Sequence, residues 1–263
     1  MSPRVTPRLW MALPAVVLTL VLSILVGPAI ADVVVPGDDL ALYAAVVIGV
    51  ILVVALPALW ALGWLRAVFF ERERVRALVP TLLAFGPLLY IGYCIVTAKW
   101  DVIPLETTLT ALILAAVAGI GEELTFRGVA VVTLRARLSE VWVAVLPALT
   151  FGLVHLMNLG GELPTAEVLY QVVYAILFGF AAYALRRVTG GLLIPIIIHT
   201  FNNAFENIAD ATGGGPIAVL VDGAALPDIL FIGGLVLGTV SMVLILQKGA
   251  RGPLAGEKRL RRS

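Results

Sequence analysis

The sequence predicts an all-α, polytopic membrane protein of about eight transmembrane helices with both termini cytoplasmic, and three observations predict it. The 263 residues are 61% hydrophobic and only 13% charged, with a mean hydropathy of +1.06, and so few polar side chains cannot cover a surface exposed to water. Apolar stretches approaching the ~20 residues needed to cross a bilayer recur along the chain. The basic residues fall on alternate loops, as spans that cross back and forth require.

The first segment, Leu9 to Ile30, ends in Ala29-Ile30-Ala31, which resembles a signal-peptide cleavage site. Its apolar stretch is longer than the usual signal core, so a retained first helix is the expectation. Leu40 to Leu65 and Leu78 to Ala98 follow, the latter holding Cys94, the single cysteine. One cysteine allows no intramolecular disulfide, and inside a span it reads as a small buried apolar residue. Thr107 to Leu134 begins with fourteen uncharged residues and then meets "GEELTFRG". Val141 to Met157 contains "LTFGLVHLM", and Val168 to Leu185 ends at Arg186 and Arg187. Leu192 to Ile208 contains "IPIIIHTFNNAF". Ile229 to Leu246 carries Gly234 and Gly238, a pair of small residues suited to close helix packing. Pro14, Pro57, Pro87, Pro147 and Pro195 are candidate bends, and Trp10, Trp64, Trp100 and Trp142 lie near span ends, as an aromatic belt requires.

With the N terminus inside, 17 of the 18 Lys and Arg residues fall on the cytoplasmic side and only Lys99 falls outside. The outer loops carry Asp32, Asp38, Asp39, Asp101, Glu106, Glu162, Glu167, Asp210, Asp222 and Asp228. The net charge of +1 conceals this asymmetry, so it gives no reason to expect a nucleic-acid partner; the lipid bilayer is the expected one, with the basic tail after Lys248 near anionic headgroups. Glu71, Arg72, Glu73, Arg74 and Arg76 read as a solvated cytoplasmic loop, and the stretch at Gly213 to Gly215 reads as flexible. The organisation expected is N-terminal helices over 1–104, a helical core over 105–210, and a last helix with a basic tail over 211–263.

Charged side chains at mid-membrane cost at least ~2.5 to 3.5 kcal/mol each, so the polar residues inside spans need a reason. Glu123 and Arg127 stand i,i+4 and can pair on one helix face. Glu122, about 100° away around the helix, is then the carboxylate left over. Phe151 and His155 are also i,i+4, as are His199 and Asn203, and these are the only two histidines. A structural ion pair is the simpler account of Glu123 with Arg127, and an interhelical hydrogen bond the simpler account of either histidine alone. Neither explains Glu122. Three polar stripes on the fourth, fifth and seventh spans together describe a site. Asn202, Glu206 and Asn207 read as the polar end of a helix nearing the interface.

The set "EELTFR", "FGLVH" and "HTFNN" resembles the three motifs, in order, of the CPBP intramembrane proteases, also called the Abi or CAAX protease family, over residues 105 to 210. The resemblance implies cleavage of a peptide bond in or beside the membrane. By it, Glu122 is the general base that activates water, with His155 assisting. His199 and Asn203 steady the oxyanion, Glu123 and Arg127 support the site, and Phe151 packs it.

The chemistry suits the residues. No serine or cysteine accompanies the histidines, so water is the natural nucleophile, and a carboxylate stripped of water is a better base. No cofactor is needed for that route. The alternative is a zinc site made of Glu122, His155 and His199, although the H-E-x-x-H signature is absent and Asn203 suits an oxyanion better than a metal. A proton-coupled transporter would also bury Glu and His, but no paired internal repeat is visible. A non-catalytic immunity or binding protein is the third class, which the intact motif set argues against. The substrate expected is a membrane protein or membrane peptide. The 15 Arg against 3 Lys suggest a GC-rich genome and hence a bacterial plasma membrane.

Overall fold

The computed structural model describes residues 3–211, apart from 38, 99 and 162, and residues 226–250. The expectations for Asp38, Lys99, Glu162, Gly213 to Gly215, Asp222 and the tail beyond residue 250 lie outside the described residues. Among the described residues ten helices follow one another: α1 Leu9–Val34, α2 Leu40–Leu62, α3 Leu65–Phe69, α4 Leu78–Ala84, α5 Leu88–Thr97, α6 Leu105–Leu134, α7 Glu140–Asn158, α8 Thr165–Thr189, α9 Leu193–Ala211 and α10 Leu226–Ala250. The described residues form no strand beyond one isolated bridge, Phe70 to Gly191.

The helix ends follow from local chemistry. Asp39 caps α2 by accepting the amide of Leu42 at 2.9 Å. That helix stops at Gly63 and α8 stops at Gly190, with φ of 74° and 87°, a left-handed conformation that favours glycine. Pro104 and Pro164 precede α6 and α8, where a missing amide costs nothing. The third expected span is two helices, α4 and α5, bent by 44°. Pro87 lies at the break, next to Gly86, whose backbone touches Gly234 of α10 too closely to leave room for a side chain.

Among the described residues six helices are long and apolar enough to span a bilayer, and seven if the bent pair counts as one span. The seventh expected segment is α9. It is helical over the expected residues, but the side chains of His199, Asn202, Asn203 and Glu206 make it too polar to pass as a span by composition. His199, Asn202 and Glu206 are buried within the protein, so the bilayer is spared their polarity. Helix α1 runs unbroken through Ala29 to Ala31, with Ala31 buried in a cluster with Val47 and Ile51 of α2. It carries a π-helical stretch at Leu22–Val26.

Helix α8 is the central post. It packs on α7 and α10, and its Ala181, Ala182 and Ala184 are fully buried. Gly238 of α10 lies directly against Ala181, so the small pair Gly234 and Gly238 makes the close contact expected of it. Helix α6 packs between α9 and α2. Cys94 is buried, as expected.

Two expectations about the basic end are corrected. Glu71 is not part of a solvated loop. Its side chain is fully buried, with Arg186 at 3.1 Å and Arg135 at 3.0 Å. The reason is a strap, in which the amides of Glu71 and Val75 donate to the carbonyls of Gly190 and Arg187 and tie residues 71–75 to the end of α8. Burial pushes the Glu71 carboxyl up, but Arg135, Arg186 and the amide of Glu73 outweigh it and hold it below the ordinary carboxylate range. Arg186 is also wholly buried. Beyond Glu71 it donates to the carbonyls of Ala67, Val68 and Arg127. The second correction is Trp64, which is 2% exposed and so no belt residue. Its indole donates to the carbonyl of Val5 at 2.7 Å and anchors the N-terminal segment. Trp10, Trp60, Trp100 and Trp142 are exposed, as a belt requires.

Candidate active site

Helix α6 changes pitch at the motif. It is α-helical to Glu122 and π-helical from Glu123 to Ala130, and single π turns often mark functional positions. The wider turn keeps Glu123 and Arg127 together, with Arg127 NH1 donating to Glu123 Oε1 at 2.8 Å, both side chains buried. The guanidinium lies 4.4 Å from the centre of the Phe151 ring and 5.9 Å from that of Phe178, so its faces are covered by aromatic rings.

The pair holds a third member. Glu123 Oε1 accepts a hydrogen bond from His199 Nδ1 at 2.9 Å. That bond fixes the imidazole so that Nε2 stands 3.4 Å from Glu122 Oε2. Helix α9 comes near enough because Gly119, one turn before Glu123, has no side chain. A Cβ there would stand 2.7 Å from Thr200 Oγ1. The rings of Phe178 and Phe151, with centroids at 4.6 and 5.8 Å, hold the His199 ring from the other side.

Phe151 is the shared contact of the site, touching Arg127, His199, Phe126 and His155. His155 begins a short 3-10 turn that ends α7. Its Nδ1 donates to the carbonyl of Phe151 at 2.8 Å, which leaves Nε2 as the basic nitrogen.

These residues surround a cavity of about 320 Å³ lined by Glu122, His155, His199, Asn202 and Asn203, with Tyr174 and Gln171 contributed by α8. A second cavity of about 280 Å³, between α1, α2 and α6, also reaches Glu122. The Glu122 side chain is 34% exposed, so it opens on both spaces, whereas Glu123 is sealed. All seven residues expected at the site are therefore in one place. The imidazole within reach of Glu122 is that of His199, while His155 faces the same cavity from α7. Sequence reasoning ranked Asn202 as the polar end of a helix, yet it is buried in the cavity wall. The signal available was its position three residues after His199. Gln171 and Tyr174 gave no signal, because α8 carries no motif. Among the described residues no group of three His, Cys, Asp or Glu is arranged to hold a metal ion.

Comparison with known families gives one match. Residues 104–205 match the family model described as type II CAAX prenyl endopeptidase Rce1-like. No curated protein and no solved structure gives a significant match.

Proposed function

We propose, from the premise that residues 104–205 make this chain a member of the CAAX protease family and hence a membrane endopeptidase, that it hydrolyses its peptide bond with water activated by Glu122. The observation that supports the reading is the unequal fate of two adjacent carboxylates. Glu123 is committed to Arg127 and His199, and Glu122 stands in the cavity wall, 34% exposed, with His199 Nε2 at 3.4 Å.

In this reading the Glu122 carboxylate takes a proton from water as the water oxygen bonds to the scissile carbonyl carbon. The carbonyl oxygen becomes an oxyanion, to which the Asn203 amide and His199 Nε2–H donate. In that role Nδ1–H of His199 stays held by Glu123 while Nε2 turns to the oxyanion. When the C–N bond breaks, the proton on Glu122 passes to the departing amine and the carboxylate is restored. His155 presents Nε2 to the same cavity and orients the water. No step requires a metal; the competing zinc reading would use Glu122, His155 and His199 as ligands.

The substrate class that suits this site is a peptide segment of a membrane protein, since the cavity wall offers amide, imidazole and phenol groups that match a peptide backbone. The Arg-rich composition supports a bacterial plasma membrane as its home. Cleavage of a panel of fluorogenic membrane peptides by the purified protein tests the proposal. Cleavage is expected to persist in a strong zinc chelator and to vanish in Glu122→Gln. Loss in chelator with recovery on added zinc would replace the water-and-glutamate route by the metal route.

A further inference from the structure

We propose that the basic end of the bundle holds a site for an anionic phospholipid, with the phosphate in an arginine-lined basin and an acyl chain along an adjoining apolar groove. The basin has a volume of about 1030 Å³ and is lined by Arg8, Arg66, Arg72, Arg135 and Arg137 together with Trp10. No carboxylate lines it. Beside it runs a groove of about 820 Å³ formed by Leu65, Phe69, Phe70 and Leu193, with Arg66 and Phe70 shared between the two spaces.

Arginines at this end of a membrane protein are expected from the positive-inside rule alone, and scattered surface arginines would need no further account. The difference lies in pairing. Arg186 and Arg187 spend their charge on Glu71, Glu140 and backbone carbonyls, and Arg135 is shared between Glu71 and Glu140. Arg8, Arg66, Arg72 and Arg137 have no carboxylate partner among the described residues. The chain thus neutralises its inner arginines and leaves four around one hollow uncompensated. Guanidinium groups match a phosphate by paired hydrogen bonds.

The groove decides what carries the phosphate. Phe70 and Leu193 are 63% and 66% exposed, and a free phosphate would leave this apolar surface uncovered. Trp10, also exposed, stands at the basin wall, where an indole suits the headgroup level of a bilayer. An anionic group beside an alkyl-sized trough is the chemistry of a phospholipid.

The test is native mass spectrometry and thermal unfolding of the full-length protein in detergent with added phosphatidylglycerol, phosphatidylcholine or inorganic phosphate. Phosphatidylglycerol is expected to stay bound and raise the unfolding temperature, and phosphatidylcholine to do neither. Replacing Arg8, Arg66 and Arg137 with Gln is expected to weaken the lipid about fivefold per arginine, about a hundredfold in all. These exposed side chains lack ion pairs, so the variant should fold; its unfolding temperature without lipid verifies that. Leu193→Ser, which touches the groove and not the basin, is expected to weaken the lipid through the groove alone. Equal retention of the two lipids, or no change in the triple variant, would overturn the proposal. So would loss of the preference when Lys258, Arg259, Arg261 and Arg262 are replaced with Gln instead. If inorganic phosphate alone raises the unfolding temperature as much as the lipid does, the site takes a free anion and the lipid assignment falls.

Discussion

At the scale of single residues, Glu122 and Glu123 share a sequence position in all but one step and have opposite surroundings. The i,i+4 spacing of Glu123 and Arg127 made their pairing legible in the sequence. The bond from His199 Nδ1 to Glu123 was not, because it joins residues 76 apart and depends on how α9 lies against α6. Arg127→Met should leave Glu123 as an uncompensated buried charge and destabilise the protein by about 3 to 5 kcal/mol. Denaturant unfolding in detergent measures this, and adding Glu123→Gln to the same chain should restore part of the loss. A neutral Arg127→Met would mean that the pair carries no stability. Asn203→Ala should lower kcat by about 10²- to 10³-fold with little change in KM, the signature of a donor that acts on the transition state.

At the scale of elements, two contacts place the motif helix. Gly119 admits α9 on one side, and Arg186 holds the carbonyl of Arg127 on the other, at 2.7 Å. Gly119→Val should force α6 and α9 apart, lowering both the unfolding temperature and cleavage, because it separates Glu122 and Glu123 from His199. The strap at the basic end should make stability depend on pH. Arg135 and Arg186 hold the Glu71 carboxyl below its unfolded value, so its contribution is complete above the ordinary carboxylate range. It is lost as pH falls through the lower, folded value. Thermal unfolding followed downward from neutral pH should show that loss, and Glu71→Gln should be less stable at neutral pH and flatter in acid. The strap was invisible in the sequence because "ERERVR" has the composition of a solvated loop. Only the hydrogen bonds from residues 71–75 to the end of α8 bury it.

At the scale of the whole molecule, apolar runs and proline positions disclosed most of the helices, since span length is set by bilayer thickness rather than by tertiary detail. The break at Pro87 and the polar character of α9 are where that rule gave way, the first to backbone chemistry and the second to the site itself. Orientation follows from the arginines. With Cys94 replaced by Ala, a membrane-impermeant maleimide should label Leu163→Cys in intact cells and Arg137→Cys only after permeabilisation; the reverse pattern would invert the topology. The seven motif residues converge because α6, α7 and α9 each bring one polar stripe to the same cavity, and the family match over residues 104–205 covers all three motifs. The most direct measurement is the turnover of one cleaved membrane peptide by Glu122→Gln beside the unaltered protein, with both unfolding temperatures recorded. The account predicts a fall in kcat of at least about 10²- to 10⁴-fold with an unchanged unfolding temperature. Normal turnover by a folded Glu122→Gln would contradict it.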